Sequence, residues 1–345
     1  MIKVILVEDS PVALTLLKKL LDSAPDIEVV GCASTGVEAL EMIPKVNPDV
    51  ICTDLHMPKM NGLELTTEVM ALYPRPILII SASVQEEDTH HVFQLLEAGA
   101  VDIFPKPRAG QPKDYELIKQ PLINKIKVLA GVRVFSKPQK YATPVKKEVP
   151  FMPTSMVSSK IKMVAIGAST GGPQALQEIF SKLPVNFPVP IICVQHISEG
   201  FLQGLIDWLT SVCKLKLVIA QSGVIPQPGN IYFPPEGQHL ELDSSGKFFC
   251  SHAPQVGGHR PSITVTLKSV ARVYGSTAIG ILLTGMGKDG AEGMKAIAAA
   301  GGLTIAQDQG TSVVFGMPKE AIALGGVKEV LPLQAIAPFL LKKMV

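Results

Sequence analysis

Two α/β units in tandem, each built on a parallel β-sheet, are the architecture this sequence predicts, and three observations carry that prediction. Short apolar runs alternate with segments of helical period along most of the chain, as a doubly wound parallel sheet requires. The length, 345 residues, exceeds what a single typical core accommodates. The rhythm breaks once, between Lys137 and Lys160, where four Pro and five Lys replace any apolar period. The expected division is therefore a first domain at 1–130, a flexible linker at 137–160 and a second domain at 161–345.

The elements follow in order. Ile2–Val7 reads as a buried strand, and Ser10-Pro11 as the N-cap and first residue of a helix carrying Leu14, Leu17, Leu20 and Leu21. Further strands are expected at Glu28–Cys32, Asp49–Thr53, Ile77–Ser81 and Asp102–Phe104, giving five parallel strands. A last helix is expected over Tyr115–Leu129. After the linker, Lys162–Ile166 is a strand, and Pro173 opens a helix whose Leu176, Ile179, Phe180 and Leu183 share one face. Pro190–Val194 and Thr277–Leu283 are expected as further buried strands. Alternation broken by Pro and Gly over Ile225–His252 suggests an antiparallel excursion from a mostly parallel sheet.

Composition excludes several classes. Hydrophobic residues make up 47% of the chain and charged residues 18%, which rules out a mainly disordered or coiled-coil protein. Thirty-two basic against 30 acidic residues leave a net charge of +2, so no nucleic-acid partner is expected. No apolar run reaches the roughly 18 residues of a transmembrane segment. The N-terminus turns acidic at Glu8-Asp9, too early for a signal peptide. Five scattered cysteines, an odd number without paired spacing, are expected to be reduced thiols in a cytoplasmic protein.

In the first domain, chemistry-bearing residues fall at the C-terminal ends of strands, where open α/β sheets gather their ligands. Glu8 and Asp9 follow strand one, Asp54 strand three, Ser81 strand four and Lys106 strand five. Converging carboxylates repel unless a cation compensates, and Mg²⁺ suits such an oxygen site. An exposed Asp so placed can accept a phosphoryl group, with Lys106 and the Ser81 hydroxyl holding its oxygens. Together with Asp54-Leu-His-Met-Pro-Lys-Met-Asn-Gly62, these residues resemble a response-regulator receiver domain, flavodoxin-like in fold. The resemblance implies that Asp54 is phosphorylated by a partner histidine kinase. It also implies Mg²⁺ bound by Asp9, Asp54 and the His56 carbonyl, with Glu8 acting through water. Many receivers carry a Tyr or Phe three residues before the Lys; here Ile103 stands there, with Phe104 beside it.

In the second domain, Gly167-Ala-Ser-Thr-Gly-Gly172 joins a strand to a helix. Glycines flanking Ser169 permit a tight turn that presents its hydroxyl as a nucleophile, with the Thr170 amide aimed at a developing oxyanion. The loop fits neither the dinucleotide fingerprint nor the P-loop, which would need a Lys. His196 and Asp289 follow other parallel strands, so Ser, His and Asp reach one sheet edge in an order unlike that of the α/β-hydrolases. On residue chemistry alone His239, His252 and His259 are rival imidazoles, and Asp308 is a rival acid.

This half resembles the catalytic domain of the chemotaxis protein-glutamate methylesterases, the CheB family, on Ile166–Gly172, Gln195-His196, Leu283–Gly290 and Gln307–Pro318. The resemblance implies Ser169 as nucleophile, His196 as base and Asp289 as acid, with the backbone near Met286 as second oxyanion donor. It makes Asp308 structural. It implies hydrolysis of glutamate methyl esters, and deamidation of specific glutamines, on the cytoplasmic methylation helices of chemoreceptors, without a cofactor for the esterase reaction. Thr264 departs from the family, where an Asp is common after Arg260-Pro-Ser262. The domain order further suggests that the unphosphorylated receiver covers the active site. A receiver-controlled scaffold with a vestigial esterase, and a nucleic-acid-binding output, are the other readings; the second half lacks a helix-turn-helix pattern for the latter.

Overall fold

The structure is a computed structural model, and it describes residues 1–81, 86–107, 112–132, 134 and 161–344, with the backbone alone at 86–91 and 112–113. The linker expected at 137–160 lies outside the described residues. The first unit runs β1 (Ile2–Val7), α1 (Pro11–Asp22), β2 (Ile27–Ala33), α2 (Gly36–Val46), β3 (Val50–Thr53), α3 (Gly62–Leu72), β4 (Ile77–Ser81), α4 (Glu86–Ala98), β5 (Asp102–Pro105) and α5 (Pro112–Leu129). Its five strands pair in parallel in the order β2-β1-β3-β4-β5. Every residue of β3 and β4 is buried, as in a sheet with helices on both faces. Ser10 caps α1 by accepting from the Ala13 amide, and Pro11 occupies its first turn. The strand order reverses between β1 and β3, and the crevice that opens there receives Glu8, Asp9 and Asp54.

The second unit runs β6 (Met163–Ala168), α6 (Gly172–Phe180), β7 (Ile191–Gln195), α7 (Leu202–Thr210), β8 (Lys216–Ile219), β9 (Asn230–Phe233), β10 (His239–Leu242), β11 (Phe248–Ser251), α8 (Ile263–Tyr274), β12 (Ala278–Leu282), α9 (Ala291–Ala299), β13 (Leu303–Gln307), α10 (Met317–Ala323), β14 (Glu329–Leu331) and α11 (Leu333–Lys343). Seven strands form one parallel sheet in the order β14-β13-β12-β6-β7-β9-β8. The antiparallel excursion is smaller than the sequence suggested. Among the strands of the described residues, only β10 and β11 pair antiparallel, in a separate hairpin. β9, inside the same span, joins the main sheet between β7 and β8, because three of its four residues are buried, as an interior parallel strand demands. Here the order reverses between β6 and β12, so the loops after β6, β7 and β12 share one rim.

The two units are packed on one another. One apolar cluster runs from Phe93, Leu95 and Leu96 of α4 to Ile206, Trp208 and Leu209 of α7. The Phe93 and Trp208 rings stack with centroids 5.6 Å apart and planes 19° apart. Polar contacts border this patch: the Trp208 and Gln177 side chains both donate to Glu97 Oε1, at 2.8 and 3.2 Å, and Gln174 donates to the Ala100 carbonyl at 2.9 Å.

Candidate active site

β6 and β7 deliver Ser169 and His196 to the same rim, and the turn after β12 delivers Asp289. The His196 backbone is tied to β6 by its amide, which donates to the Ala168 carbonyl at 2.9 Å. Its ring meets Asp289 through Nε2 and Oδ2, 2.9 Å apart, and both side chains are largely buried. The other ring nitrogen, Nδ1, is buried without a partner. With Nε2–H donated to the carboxylate, Nδ1 carries the lone pair that a general base needs. Ser169 lines the same cavity as His196, although no hydrogen bond joins the two side chains in this state. Catalytic hydrogen bonds of this kind are commonly long before substrate arrives.

Asp289 rather than Asp308 is the acid beside an imidazole. Its carboxylate sits at the N-terminus of α8, where the Ile263, Thr264 and Gly290 amides donate to it at 2.8, 3.0 and 2.9 Å. The Ser262 hydroxyl adds a fourth bond at 2.9 Å. Burial alone would raise its pKa, but hydrogen bonds from His196 and Thr264 outweigh that and hold it well below the ordinary carboxylate range. A charge so anchored stays ionised and keeps the proton on His196 Nε2. Asp308 instead turns inward on its own loop, accepting from the Thr311 amide and hydroxyl. The rival imidazoles separate too. His252 is exposed, and His239, fully buried, accepts from the Ser262 amide and bonds the Pro254 carbonyl. His259 lies face to face with His196.

The glycines around Ser169 act differently from the expected strained turn. Positive φ falls at Gly171, at 74°, where a Cβ would sit 2.6 Å from Val313. Gly167 belongs to β6, and a Cβ there would strike Ile263 Cγ2 at 2.3 Å. Its missing side chain thus lets the first turn of α8, with its Asp289 cradle, press against the strand that carries Ser169. The Thr170 and Met286 amides, both expected oxyanion donors, make no hydrogen bond among the described residues. Gly285, between Thr284 and Met286, approaches Ser169 closely enough that a Cβ would lie 2.7 Å from the serine Cβ.

Two residues have roles that the motifs contained but sequence reasoning did not assign. Gln195 Nε2 donates to the Ser169 carbonyl at 2.9 Å and to the His196 carbonyl at 2.8 Å, tying the two loops together. Ser262 links α8 to Asp289. Thr264, the departure from the family pattern, contributes its amide to Asp289 and accepts from the Gly290 amide at 2.7 Å. Lys125 has no sequence signal at all. It bridges Asp102, at 2.6 Å, and the Thr170 hydroxyl, at 3.1 Å, across the two units.

In the first unit, ligand oxygens of Glu8, Asp9 and Asp54 lie within 4.8 Å of one another. Lys106 Nζ contacts Asp54 Oδ2 and Glu8 Oε2, each at 2.5 Å. Burial raises the Glu8 pKa against the opposing pull of Lys106, and burial works to depress Lys106, but Asp54 and Glu8 more than reverse it. This oxygen-rich, cation-seeking cluster fits a hard divalent ion. Ser81 is buried at the end of β4, and His56, two residues beyond Asp54, is exposed between the buried Leu55 and Met57. All five cysteines are free, and burial pushes the Cys52 thiol up to about 12.

The two units meet at a cavity of about 210 Å³. Ser169, Gln195, His196 and His259 line one side, and Asp102, Ile103, Phe104 and Lys125 the other. Among the described residues, no helix is long and apolar enough to cross a membrane.

Comparisons with known proteins identify the family. The response regulator receiver domain model matches residues 4–112, and the CheB methylesterase model matches residues 164–340. A protein-glutamate methylesterase/protein-glutamine glutaminase of Syntrophus aciditrophicus is 40% identical over 346 residues, covering 99% of this chain and 98% of its own. One from Carboxydothermus hydrogenoformans is 42% identical over 342 residues, covering 97% of each. The crystal structure of the Thermotoga maritima CheB methylesterase catalytic domain superposes with a TM-score of 0.51 at 42% identity, covering 53% of this chain and 98% of that one. With a receiver crevice in its first unit and a serine, an imidazole and a carboxylate on one rim of its second, this chain belongs to the CheB methylesterase family and carries that family's response-regulator receiver domain.

Proposed function

We propose that this protein is a phosphorylation-activated protein-glutamate methylesterase that also deamidates glutamine, acting on chemoreceptor methylation helices in the cytoplasm. The observation that carries the reading is the His196–Asp289 pair, with an unpartnered Nδ1, in the cavity that also holds Ser169. Ser169 Oγ attacks the ester carbonyl carbon while its proton passes to His196 Nδ1. The carbonyl oxygen takes up the displaced electron pair and is met by the Thr170 and Met286 amides. His196 then gives its proton to the departing methoxy group, releasing methanol and leaving an acyl-serine. Water attacks the acyl carbon, its proton going to His196 and then to Ser169 Oγ, and free glutamate leaves. With glutamine the same steps release ammonia. Asp289 holds the tautomer and stabilises the imidazolium.

The receiver supplies control. Asp54 takes the phosphoryl group from a histidine kinase, and Lys106 and Ser81 hold its oxygens. Glu8, Asp9, Asp54 and the His56 carbonyl would hold Mg²⁺, which when bound offsets the negative charge of the phosphoryl group. In the unphosphorylated state the receiver forms one wall of the cavity over Ser169, which leaves no path for a receptor helix. Its departure on phosphorylation is a shift between closed and open populations. The test is methanol release from methylated receptor membranes. Ser169→Ala should abolish it, and Asp54→Ala should keep the basal rate while losing stimulation by a small phosphodonor. Turnover surviving in Ser169→Ala refutes the nucleophile, and stimulation surviving in Asp54→Ala moves the phosphorylation site.

A further inference from the structure

We propose that His259 is a positioning residue for the general base: its ring, stacked flat on His196, fixes the plane in which that imidazole meets Ser169. The proposal rests on Ser169 and His196 acting together as described above. Among the described residues, the His196 ring has one hydrogen bond, from Nε2 to Asp289. A ring held at one atom still turns about that bond, and the buried Nδ1 provides no second point. The second constraint comes from His259, with centroids 3.9 Å apart and planes 7° apart.

The brace is itself fixed. Val256 and His259 exchange both backbone hydrogen bonds, each at 3.1 Å, closing a two-residue turn. Gly257 and Gly258 occupy that turn with φ of 62° and 84°, a left-handed pair that glycine adopts at least cost. The next residue, Arg260, donates to the His252 and Ala253 carbonyls at 3.1 and 3.2 Å. The stacked ring also stands between the cavity holding Ser169 and a larger groove bordered by Gly287, Lys288 and Lys319. Without it, the outer face of His196 opens to that groove and to water.

The charge state suits the role. Burial, and then the neighbouring His196, lower the His259 pKa to about 4, so the ring is neutral at pH 7. The proton that His196 takes from Ser169 is therefore not opposed by a second cation in the stack.

Full-length His259→Ala and His259→Phe test this, with two readouts at pH 7: methanol release from methylated receptors, and labelling of Ser169 by a fluorophosphonate. The label needs a competent Ser–His pair and no receptor. His259→Ala should lower kcat about tenfold or more, with KM within about twofold, and slow labelling in proportion, since misplaced catalytic groups cost on this order. His259→Phe, a flat ring that cannot titrate, should restore both to within about threefold. Wild-type kcat and labelling in His259→Ala overturn the proposal, and so does a Phe variant as impaired as the Ala variant. If His259→Ala does not fold, the Phe variant decides alone. Labelled wild type that releases no methanol sinks the esterase reading and leaves the positioning assignment standing. A wild type that does not label at all sinks both.

Discussion

The chemistry rests on how one carboxylate is held. Asp289 gathers three amides and one hydroxyl, and its remaining task is to orient a single ring. This redundancy sets a graded expectation. Ser262→Ala removes one of four cradle bonds and the N-cap of α8, whose side chain accepts from the Val265 amide. It should cost about 1 kcal/mol of stability, with kcat reduced less than tenfold, because the carboxylate stays ionised on three amides. Asp289→Asn should instead cost about a thousandfold or more in kcat by releasing the His196 tautomer. Thermal unfolding and methanol release on the two variants check both. Equal losses would mean that the serine, and not the aspartate, sets the ring. The motifs made the triad candidates legible as residue types at strand ends. Residue chemistry alone did not choose among four histidines and two aspartates; the family resemblance named His196 and Asp289, and only the structure shows which side chains meet.

At the scale of elements, the site depends on two close approaches that glycine permits, one of a helix to a strand and one of a loop to the serine turn. Gly167 lets Ile263 of α8 lie against β6, and Gly171 ends the serine turn beneath Val313. Gly171→Ala would force a side chain into a left-handed backbone and against Val313, 2.6 Å from its Cβ. The expected cost is about 2 kcal/mol or more, read as a lower unfolding temperature together with lost fluorophosphonate labelling. A variant with wild-type stability would show that the turn relaxes freely. Strand identity was legible here from apolar runs, whereas the pairing of β9 was not. Its four residues read as part of a Pro/Gly-broken alternation, and only burial on both faces distinguishes an interior parallel strand from a hairpin arm.

For the whole molecule, β5 runs between the proposed phosphorylation site and the cavity that holds Ser169. Lys106, paired with Asp54 and Glu8, follows directly on β5, and β5 presents Asp102, Ile103 and Phe104 to the Ser169 cavity. On the proposed control, a phosphoryl group on Asp54 would act through Lys106 on the wall of that cavity. Ile103 and Phe104 are both nearly buried there, so the aromatic that many receivers place at Ile103 has its nearest counterpart one residue on. Lys125 bolts the wall shut by joining Asp102 to Thr170. Lys125→Ala removes about 1–2 kcal/mol from the closed state, which should raise unphosphorylated methanol release about tenfold and shrink the further gain from a phosphodonor. An unchanged basal rate would exclude this contact as part of the inhibition.

What the sequence determined by itself was everything local: strands from apolar runs, caps and turns from Ser, Pro and Gly, and chemistry-bearing residues at the strand ends. It also carried the family, because Ile166–Gly172 and Leu283–Gly290 each keep their chemistry within a few consecutive residues. Only the tertiary structure decided which imidazole meets which carboxylate, that a second histidine covers the first, and that the receiver walls the cavity. Those facts concern side chains that are far apart in the chain: His196 and Asp289 are 93 positions apart, and Lys125 and Thr170 are 45 apart. Hydrogen bonds and ring stacking act over a few ångströms, so a linear pattern can name the partners but cannot bring them together.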